Sequence, residues 1–316
     1  MGDSIQFLDF SQDPRALRRG SKEWDLLCQE VRRACELHGC FRFAYDGVPT
    51  QLREEMFGAI KALFDLPVKT KMKNTSSNPF YGYVGSVHVH PLHESSSIEG
   101  ADVEMAQAFT NLMWPDGHPQ FCKTIHSMST GMAELSMIIR RMIFDSYGAV
   151  ERQGEEKDCD LLFRMMKYGA PMSNDLALGL VPHVDKTWVT VLCQDGGVQG
   201  LQVMPKDKEG SDNWMDVPLS GGCFVAFIGE AFKAWSNGRL HAVHHRVMLS
   251  GERERFSCGL FPIPKEGVMI EVPPQLVDQE HPLIFRPFNY QDYIRFLFSN
   301  MNEIYKNNAL ERFAGV

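Results

Sequence analysis

Apolar residues in the first half of the chain recur at the spacing of an α-helix. Between residues 26 and 35, and again between 128 and 143, they mostly stand three or four positions apart. This spacing puts apolar side chains on one face of a helix. We therefore predict two amphipathic helices, the longer one over roughly residues 120 to 148 and ending near Gly148.

From about residue 160 onward, the pattern changes to short β-branched, aliphatic or aromatic runs separated by turn residues. Eight runs have the length of strands: LLFRMMKY, TWVTVLC, GLQVMP, WMDVP, CFVAFIG, AVHHRVML, RFSCGLF and VMIEV. Eight short strands favour an antiparallel sandwich or barrel. A jelly roll, or double-stranded β-helix, buries the alternating side chains and leaves few open edges. The later segment FNYQDYIRFLFSNMNEIY returns to helical spacing and predicts a C-terminal helix.

Together these patterns predict an α+β fold with a mainly β core. Residues 1–155 would form a helical N-terminal region, and residues 156–316 the jelly-roll core with its C-terminal helix. We find no repeat and no low-complexity linker, so a string of independent domains is not expected.

Charge and composition narrow the classes of partner. The 316 residues are 44% hydrophobic and carry a formal net charge of -8, with acidic and basic residues interspersed. Such a chain offers no basic stripe for nucleic acid or an anionic membrane. The first residues lack the pattern of a secretion signal, and the eight cysteines are scattered without a CxxC pair. We expect a cytoplasmic monomer that binds a small molecule.

A metal site is predicted from two separate stretches of sequence. His183 and Asp185 stand two positions apart, so on an extended segment both side chains point to one face. His245 lies in a strand-like run that a barrel could bring beside them. Two imidazoles and a carboxylate form a facial triad that leaves positions of an octahedral Fe(II) open. His241 and His244 compete for this role, but His244 should face the other side of its strand.

Arg255 and Ser257 form a third element. Alternation along a strand puts the guanidinium and the hydroxyl on one face, where they suit a carboxylate. The pair therefore indicates an acidic ligand.

The order H-x-D, SNGR…HRV and R-x-S resembles that of the plant-type 2-oxoglutarate/Fe(II)-dependent dioxygenase superfamily, and the resemblance covers nearly the whole chain. The stretch from VQGLQVMP to HAVHHRV is similar to the family throughout. The segments NPFYGYVG, FRMMKYGAP and FRPFNYQDY resemble the branch that contains glucosinolate side-chain oxygenases and auxin oxidases.

The resemblance implies a role for each matching residue. His183, Asp185 and His245 would bind iron, and Arg255 and Ser257 would bind the distal carboxylate of 2-oxoglutarate, which Tyr168 would also contact. The sequence departs from the family at Met166, where many relatives have an Asn that helps to hold 2-oxoglutarate. The implied reaction uses O2 and 2-oxoglutarate, with ascorbate as reductant, to hydroxylate a metabolite of plant specialised or hormone metabolism, or to desaturate, demethylate or cyclise it.

Aromatic side chains in segments that resemble pocket-lining parts of the family favour an apolar or aromatic substrate. The candidates are Phe80, Tyr81, Tyr83, Trp188, Phe227, Phe232, Trp235 and Phe261.

Two other functions compete with this interpretation. A cupin-type metal enzyme would use His88, His90 and Glu94, with His93 nearby. Against this function, the composition of PLHESSSIEG predicts a loop. The second alternative is a non-catalytic protein that binds 2-oxoglutarate or another small molecule and has lost turnover.

Overall fold

The structure, a computed structural model, describes residues 4–11, 17–78, 81–86, 90–149, 158–172, 176–206, 213–219, 222–299 and 308–316. The helices are α1 (Lys22–His38), α2 (Thr50–Phe64), α3 (Val68–Lys71), α4 (Val103–Met113), α5 (Pro119–Ser146), α6 (Glu230–Trp235), α7 (Tyr290–Ser299) and α8 (Ala309–Ala314), with a short 3-10 turn at Pro274–Leu276. No helix among these residues is long and apolar enough to cross a membrane.

The strands divide between two main sheets and one small pair. They are β1 (Phe7–Asp9), β2 (Cys40–Ala44), β3 (Tyr83–Val84), β4 (His93–Glu99), β5 (Cys159–Tyr168), β6 (Ala177–His183), β7 (Val189–Gln194), β8 (Leu201–Val203), β9 (Met215–Asp216), β10 (Phe224–Ile228), β11 (His245–Leu249), β12 (Arg255–Pro264), β13 (Met269–Ile270) and β14 (Phe288–Asn289). The larger sheet has the order β1-β2-β10-β7-β12-β5-β4-β3, and the smaller has the order β6-β11-β8-β9.

Alternation along the strands gives the larger sheet two apolar faces. In β10, Phe224, Ala226 and Ile228 belong to the core shared with the helices, whereas Val225 and Phe227 belong to the core shared with the smaller sheet. Helices α1, α2 and α5 cover the first face. The second face and the smaller sheet enclose the space in which the polar candidate residues lie.

The two predicted helices are confirmed as α1 and α5. Helix α1 begins after Ser21, whose hydroxyl accepts a hydrogen bond from the Trp24 N–H, and ends at Gly39 with a positive φ of 67°. Helix α5 is the longest described helix, and Gly148 follows it with a φ of 62°. The C-terminal helix is confirmed as α7, but the first two residues of that predicted segment, Phe288 and Asn289, form strand β14 instead. The part of the segment after Ser299 falls outside the described residues.

The double-stranded β-helix is confirmed, and all eight predicted strands are present. The prediction missed β1 to β4 in the first half of the chain and β6 and β14 in the second. Strand β6 contains Pro182, which lacks a backbone N–H, and it lies at the edge of its sheet, where a missing donor is tolerated. The division at residues 155/156 remains a prediction, because 150–157 lie outside the described residues.

Candidate metal and cosubstrate site

The pairing of β6 with β11 brings the two candidate histidines together. His183 is the last residue of β6 and stands directly opposite His245, the first residue of β11. Their ring centroids are 4.2 Å apart. Phe227 from the larger sheet stacks on the His245 ring, with centroids 4.5 Å apart and an interplanar angle of 12°. The smaller sheet therefore supplies both imidazoles, and the larger sheet fixes the plane of one of them.

Asp185 completes the group from the loop that follows β6. Its Oδ1 lies 3.8 Å from Nε2 of His183 and 3.9 Å from Nε2 of His245. The backbone of this loop is held by a hydrogen bond of 2.8 Å from the Glu230 N–H to the Asp185 carbonyl. Gly229 allows this close approach, because a Cβ there would collide with the Thr187 carbonyl oxygen.

Hydrogen bonds to the backbone orient the two imidazoles. Nδ1 of His183 donates to the Val181 carbonyl at 2.9 Å, and Nδ1 of His245 donates to the Val243 carbonyl at 3.3 Å. Each ring then carries its proton on Nδ1, and the Nε2 lone pair points toward the centre of the group. This is the tautomer that a metal ligand requires.

Burial and charge act on the same three side chains. Burial, and then the neighbouring His245, lower the pKa of His183 to about 3. Burial alone would raise the pKa of Asp185, but the two histidines outweigh it and lower that pKa. Oδ2 of Asp185 is buried and makes no hydrogen bond with any described residue.

The donor set fits Fe(II). One atom from each of His183, Asp185 and His245 lies within 4.8 Å of the others, and no other group of three such residues in the described ranges does so. Two nitrogens and one carboxylate oxygen match the facial triad of non-haem iron oxygenases. A cation would also satisfy the buried Asp185 oxygen.

Arg255 and Ser257 lie on β12, in the wall next to the metal group. Both are buried, and Nη1 of Arg255 lies 3.3 Å from Oγ of Ser257. Nη2 donates to Oε1 of Gln194 at 2.5 Å, and the guanidinium carbon lies 4.9 Å from the ring centroid of Tyr168. These contacts are with neutral groups, and Nε of Arg255 makes no hydrogen bond with a described residue. A buried guanidinium with neutral neighbours suits a carboxylate ligand.

The departure at Met166 has a visible consequence. Met166 is buried in the same wall, opposite Ser257, and its sulfur lies 3.9 Å from the Tyr168 hydroxyl. Thioether sulfur is only a weak acceptor. Met166 therefore offers a weakly polar thioether where the Asn of many relatives would offer an amide donor.

Five of the six metal and cosubstrate candidates border one cavity of about 1020 Å³, and Ser257 lies buried behind its lining. Its walls include the three metal-binding candidates together with Tyr168 and Arg255. Of the predicted substrate contacts, Tyr81, Phe227 and Phe261 also line it. Phe80 lies outside the described residues.

Four other predicted substrate contacts do not line this cavity. Trp188, Phe232 and Trp235 pack on one another in the hydrophobic core, with ring centroids 5.0 Å apart for the first two and 5.8 Å for the last two. Tyr83 packs against the same core, and its hydroxyl donates to Glu94 at 2.8 Å. Large aromatic side chains serve cores and pockets equally well, so their presence in a segment does not separate the two roles.

The cupin arrangement does not form among the described residues. His93 to Glu99 is strand β4 and not the predicted loop. Glu94 turns away from the cavity and pairs with Lys71 at 2.7 Å, whereas His90 and His93 line the cavity. His88 falls outside the described ranges.

Several polar residues of the site were not among those predicted from the sequence. Gln194, Arg164 and Tyr290 line the cavity or contact its arginine. The alternation of β5 carried a usable signal, because Arg164 stands two and four positions before Met166 and Tyr168 and so faces the same way.

Comparison with known proteins agrees with this geometry. A model of the 2OG-Fe(II) oxygenase superfamily matches residues 159–264, and a model of the N-terminal region of non-haem dioxygenases in morphine synthesis matches residues 5–117. A probable 2-oxoglutarate-dependent dioxygenase of Arabidopsis thaliana, AOP1, is 40% identical over 98% of this chain and 95% of its own length.

Solved structures show the same relationship. The crystal structure of the rice dioxygenase for auxin oxidation has a TM-score of 0.83 and 31% identity, and it covers 98% of this chain and 100% of its own. The 2-oxoglutarate complex of the Arabidopsis dioxygenase for auxin oxidation 1 has a TM-score of 0.79 and 26% identity over 88% of this chain and 100% of its own. The chain therefore belongs to the 2-oxoglutarate/Fe(II)-dependent oxygenase superfamily, and it is a dioxygenase with Fe(II) and 2-oxoglutarate as its cofactor and cosubstrate.

Proposed function

We propose that His183, Asp185 and His245 bind the catalytic iron and that Arg255, Ser257 and Tyr168 bind 2-oxoglutarate. The observation that carries this proposal is the convergence of three ligand atoms within 4.8 Å on the same cavity as a buried arginine. When bound, Fe(II) supplies the oxidising chemistry that couples decarboxylation of 2-oxoglutarate to oxidation of a substrate C–H bond.

The chain's own residues contribute position and environment. The Nδ1 hydrogen bonds to Val181 and Val243 hold the imidazoles for ligation. Arg255 fixes the distal end of 2-oxoglutarate by charge-assisted hydrogen bonds, and Ser257 donates alongside it. Phe227 and Phe261 give the cavity apolar walls that exclude water near the reacting bond.

The substrate that this site supports best is a small, largely apolar or aromatic metabolite. Tyr81, Phe227 and Phe261 present aromatic surface to the cavity. Two of the similar proteins, from rice and from Arabidopsis thaliana, are dioxygenases for auxin oxidation. We place this reaction in plant hormone or specialised metabolism.

The cellular setting is part of the same proposal. All eight cysteines are free, as expected in a reducing compartment. The net charge of -8 arises from acidic and basic residues that are interspersed along the sequence. We therefore propose a cytoplasmic monomer with a small-molecule substrate, no nucleic-acid or membrane partner, and ascorbate as the reductant that keeps iron ferrous.

Anaerobic titration with Fe(II) and 2-oxoglutarate tests the site assignment. We expect a weak visible charge-transfer band, followed by succinate release in air. His245→Ala should abolish the band, and Arg255→Gln should raise the Kd of 2-oxoglutarate by roughly tenfold or more, because it removes charge-assisted hydrogen bonds. His244→Ala, in the adjacent residue, is the matched control and should retain both.

Three results would contradict the proposal. Iron binding that survives His245→Ala would remove the ligand assignment. An unchanged Kd in Arg255→Gln would remove the cosubstrate assignment. A band without succinate, for every substrate offered, would favour the non-catalytic binding protein.

A further inference from the structure

Two rows of side chains cross strands β4, β5 and β12 on one face of the larger sheet. The first row consists of His93, Tyr168 and Arg255, and the second, two positions further along each strand, consists of Ser95, Met166 and Ser257. Residues that stand directly opposite each other in paired strands share a face of the sheet, so all six side chains point toward the cavity side. Strand β4 therefore extends the surface proposed for 2-oxoglutarate by one strand.

Met166 leaves a gap among the hydrogen-bond donors of this surface. Many relatives have an Asn at this position that helps to hold 2-oxoglutarate, whereas a thioether donates no hydrogen bond and is only a weak acceptor. The neighbours of Met166 on the two adjacent strands, Ser95 and Ser257, have short side chains. The surface on β5 and β12 is thus one donor short of the surface in those relatives.

His93 on β4 offers such a donor. Its side chain lines the cavity and is only 7% exposed, and its Nε2 makes no hydrogen bond with any described residue. Burial, and then the charge of Arg164, lower the pKa of His93 to about 3, so the ring is neutral and carries one N–H group. A buried polar atom without a partner is unfavourable, and an oxygen of a bound ligand would supply the partner.

Ring packing holds His93 next to the residues assigned to 2-oxoglutarate. The centroid of its ring lies 4.9 Å from that of Tyr168, with an interplanar angle of 47°. The guanidinium carbon of Arg255 lies at the same distance from the Tyr168 centroid. The first row is therefore continuous from β4 to β12. An imidazole that is already held by packing loses little further conformational entropy when it binds a ligand.

We propose that His93 donates a hydrogen bond to a carboxylate oxygen of 2-oxoglutarate and takes the place of the amide that is absent at Met166. This inference rests on the proposed function and adds a residue of β4 to the cosubstrate site. The exchange keeps the number of donors and moves one of them to the neighbouring strand.

Two substitutions of His93 separate hydrogen bonding from packing. The Kd of 2-oxoglutarate is measured by anaerobic titration of the Fe(II)-loaded protein, from the charge-transfer band and independently by isothermal titration calorimetry. His93→Phe keeps a ring against Tyr168 but has no donor, and we expect Kd to rise roughly tenfold to a hundredfold, the range for a hydrogen bond to a charged acceptor. His93→Gln loses the ring but supplies an amide donor, and its Kd should stay within about threefold of the wild-type value.

Met166→Asn provides a second measurement of the same exchange. In the His93→Phe background, the added amide should recover most of the lost affinity, because it offers a donor at the position that relatives use. In the wild-type background, it should tighten binding by less than about threefold, since a donor is already present. His241→Gln is the matched control. His241 is also buried, with a pKa of about 3, but it does not line the cavity, so Kd should not change.

The outcomes separate this inference from the proposed function. If the wild-type protein forms no band and binds no 2-oxoglutarate, both fail. If Arg255→Gln weakens 2-oxoglutarate binding but His93→Phe does not, only the assignment of His93 is overturned. A loss of affinity in His93→Gln without a loss in His93→Phe also overturns it, because the ring then serves packing alone.

Met166→Asn keeps the inference testable if His93→Phe does not fold. A gain in affinity of roughly tenfold or more in the wild-type background would show that the donor is still missing, and would overturn the inference.

Discussion

At the scale of single residues, buried histidines share the interior of this protein with charged neighbours. His183, His93 and His241 are all shifted by burial toward the neutral form, each with a pKa of about 3. In the unfolded chain a histidine has its usual pKa of 6.5 and binds a proton more readily than these buried rings do. Acid therefore acts on the folding equilibrium through these side chains.

His93 gives a prediction with a defined sign. Its pKa is depressed in the folded state, so the unfolded state binds more protons between about pH 6.5 and pH 3, and stability falls as pH falls through that window. His93→Gln should lower the slope of unfolding free energy against pH by about 1.4 kcal/mol per unit in the middle of the window. Urea unfolding of the metal-free protein at several pH values measures that slope.

The control for this prediction is Ser95→Ala, two positions further along β4. Ser95 is buried like His93 but carries no group that titrates in this window, so its replacement should leave the slope as it is in the wild type. Equal slopes for wild type and His93→Gln would show that burial of His93 does not control acid sensitivity.

The sequence was most informative where chemistry needs an ordered set of residues. The proximity of His183 to Asp185 and of Arg255 to Ser257 could be predicted because residues two positions apart on an extended segment share a face, and strand pairing then brings His245 beside the first pair. The aromatic substrate contacts could not be predicted equally well. Trp188 and Phe261 are both large aromatic residues, yet one packs in the core and the other lines the cavity. The distinction depends on neighbouring elements, which local composition does not encode.

At the scale of elements, the C-terminal helix is tied to the metal loop through one buried glutamate. The Tyr293 hydroxyl on α7 donates to Oε2 of Glu230 at 2.5 Å, and Lys186 pairs with the same oxygen at 2.8 Å. Glu230 also donates its backbone N–H to the Asp185 carbonyl. The loop that carries Asp185 is therefore held to Glu230 through the side chain of Lys186 and through the backbone carbonyl of Asp185.

Tyr293→Phe tests this connection. Removing the hydroxyl takes one hydrogen bond from a buried carboxylate, and we expect a loss of about 1 to 3 kcal/mol in unfolding free energy. We also expect weaker Fe(II) binding, because the Asp185 loop is less firmly held. Thermal unfolding and an Fe(II) titration measure the two effects.

Arg295→Gln on the solvent side of the same helix serves as the control and should change neither quantity. A Tyr293→Phe protein with wild-type stability and iron affinity would show that α7 does not support the metal loop.

Elements were predictable where their pattern was long or strongly alternating. Helices α1 and α5 have complete apolar stripes, and the eight predicted strands stand between clear turn residues. Strands β1 and β3 are short, and β6 contains a proline. Each of the three lies at an edge of its sheet. Their strand structure depends on pairing with distant segments, a tertiary effect that local propensity does not contain.

At the scale of the whole molecule, the first half of the chain supplies the strands at both ends of the larger sheet. Strand β2 pairs with β10, and β4 pairs with β5. Helices α1, α2 and α5 cover one face of that sheet. The jelly-roll core is consequently bordered by segments that lie far away in the sequence.

This arrangement predicts that residues 158–316 do not fold alone. Their expression by themselves should expose unpaired edges of β10 and β5 and the apolar face under the helices, and should yield aggregated protein. Addition of the fragment 1–157 should recover soluble material. Size-exclusion chromatography and thermal unfolding provide the measurements. A monodisperse 158–316 fragment with a sharp thermal transition would show that the core is autonomous.

The cavity draws its parts from different places in the chain. The metal group comes from β6, the loop after it and β11, whereas Tyr81, His90, Ile294 and Leu297 come from an N-terminal segment and from α7. Exchanges in those outer segments alter the shape offered to a substrate without moving a metal ligand. Directed evolution toward new substrates can therefore be confined to a small library at these outer positions while the oxidising machinery is inherited intact.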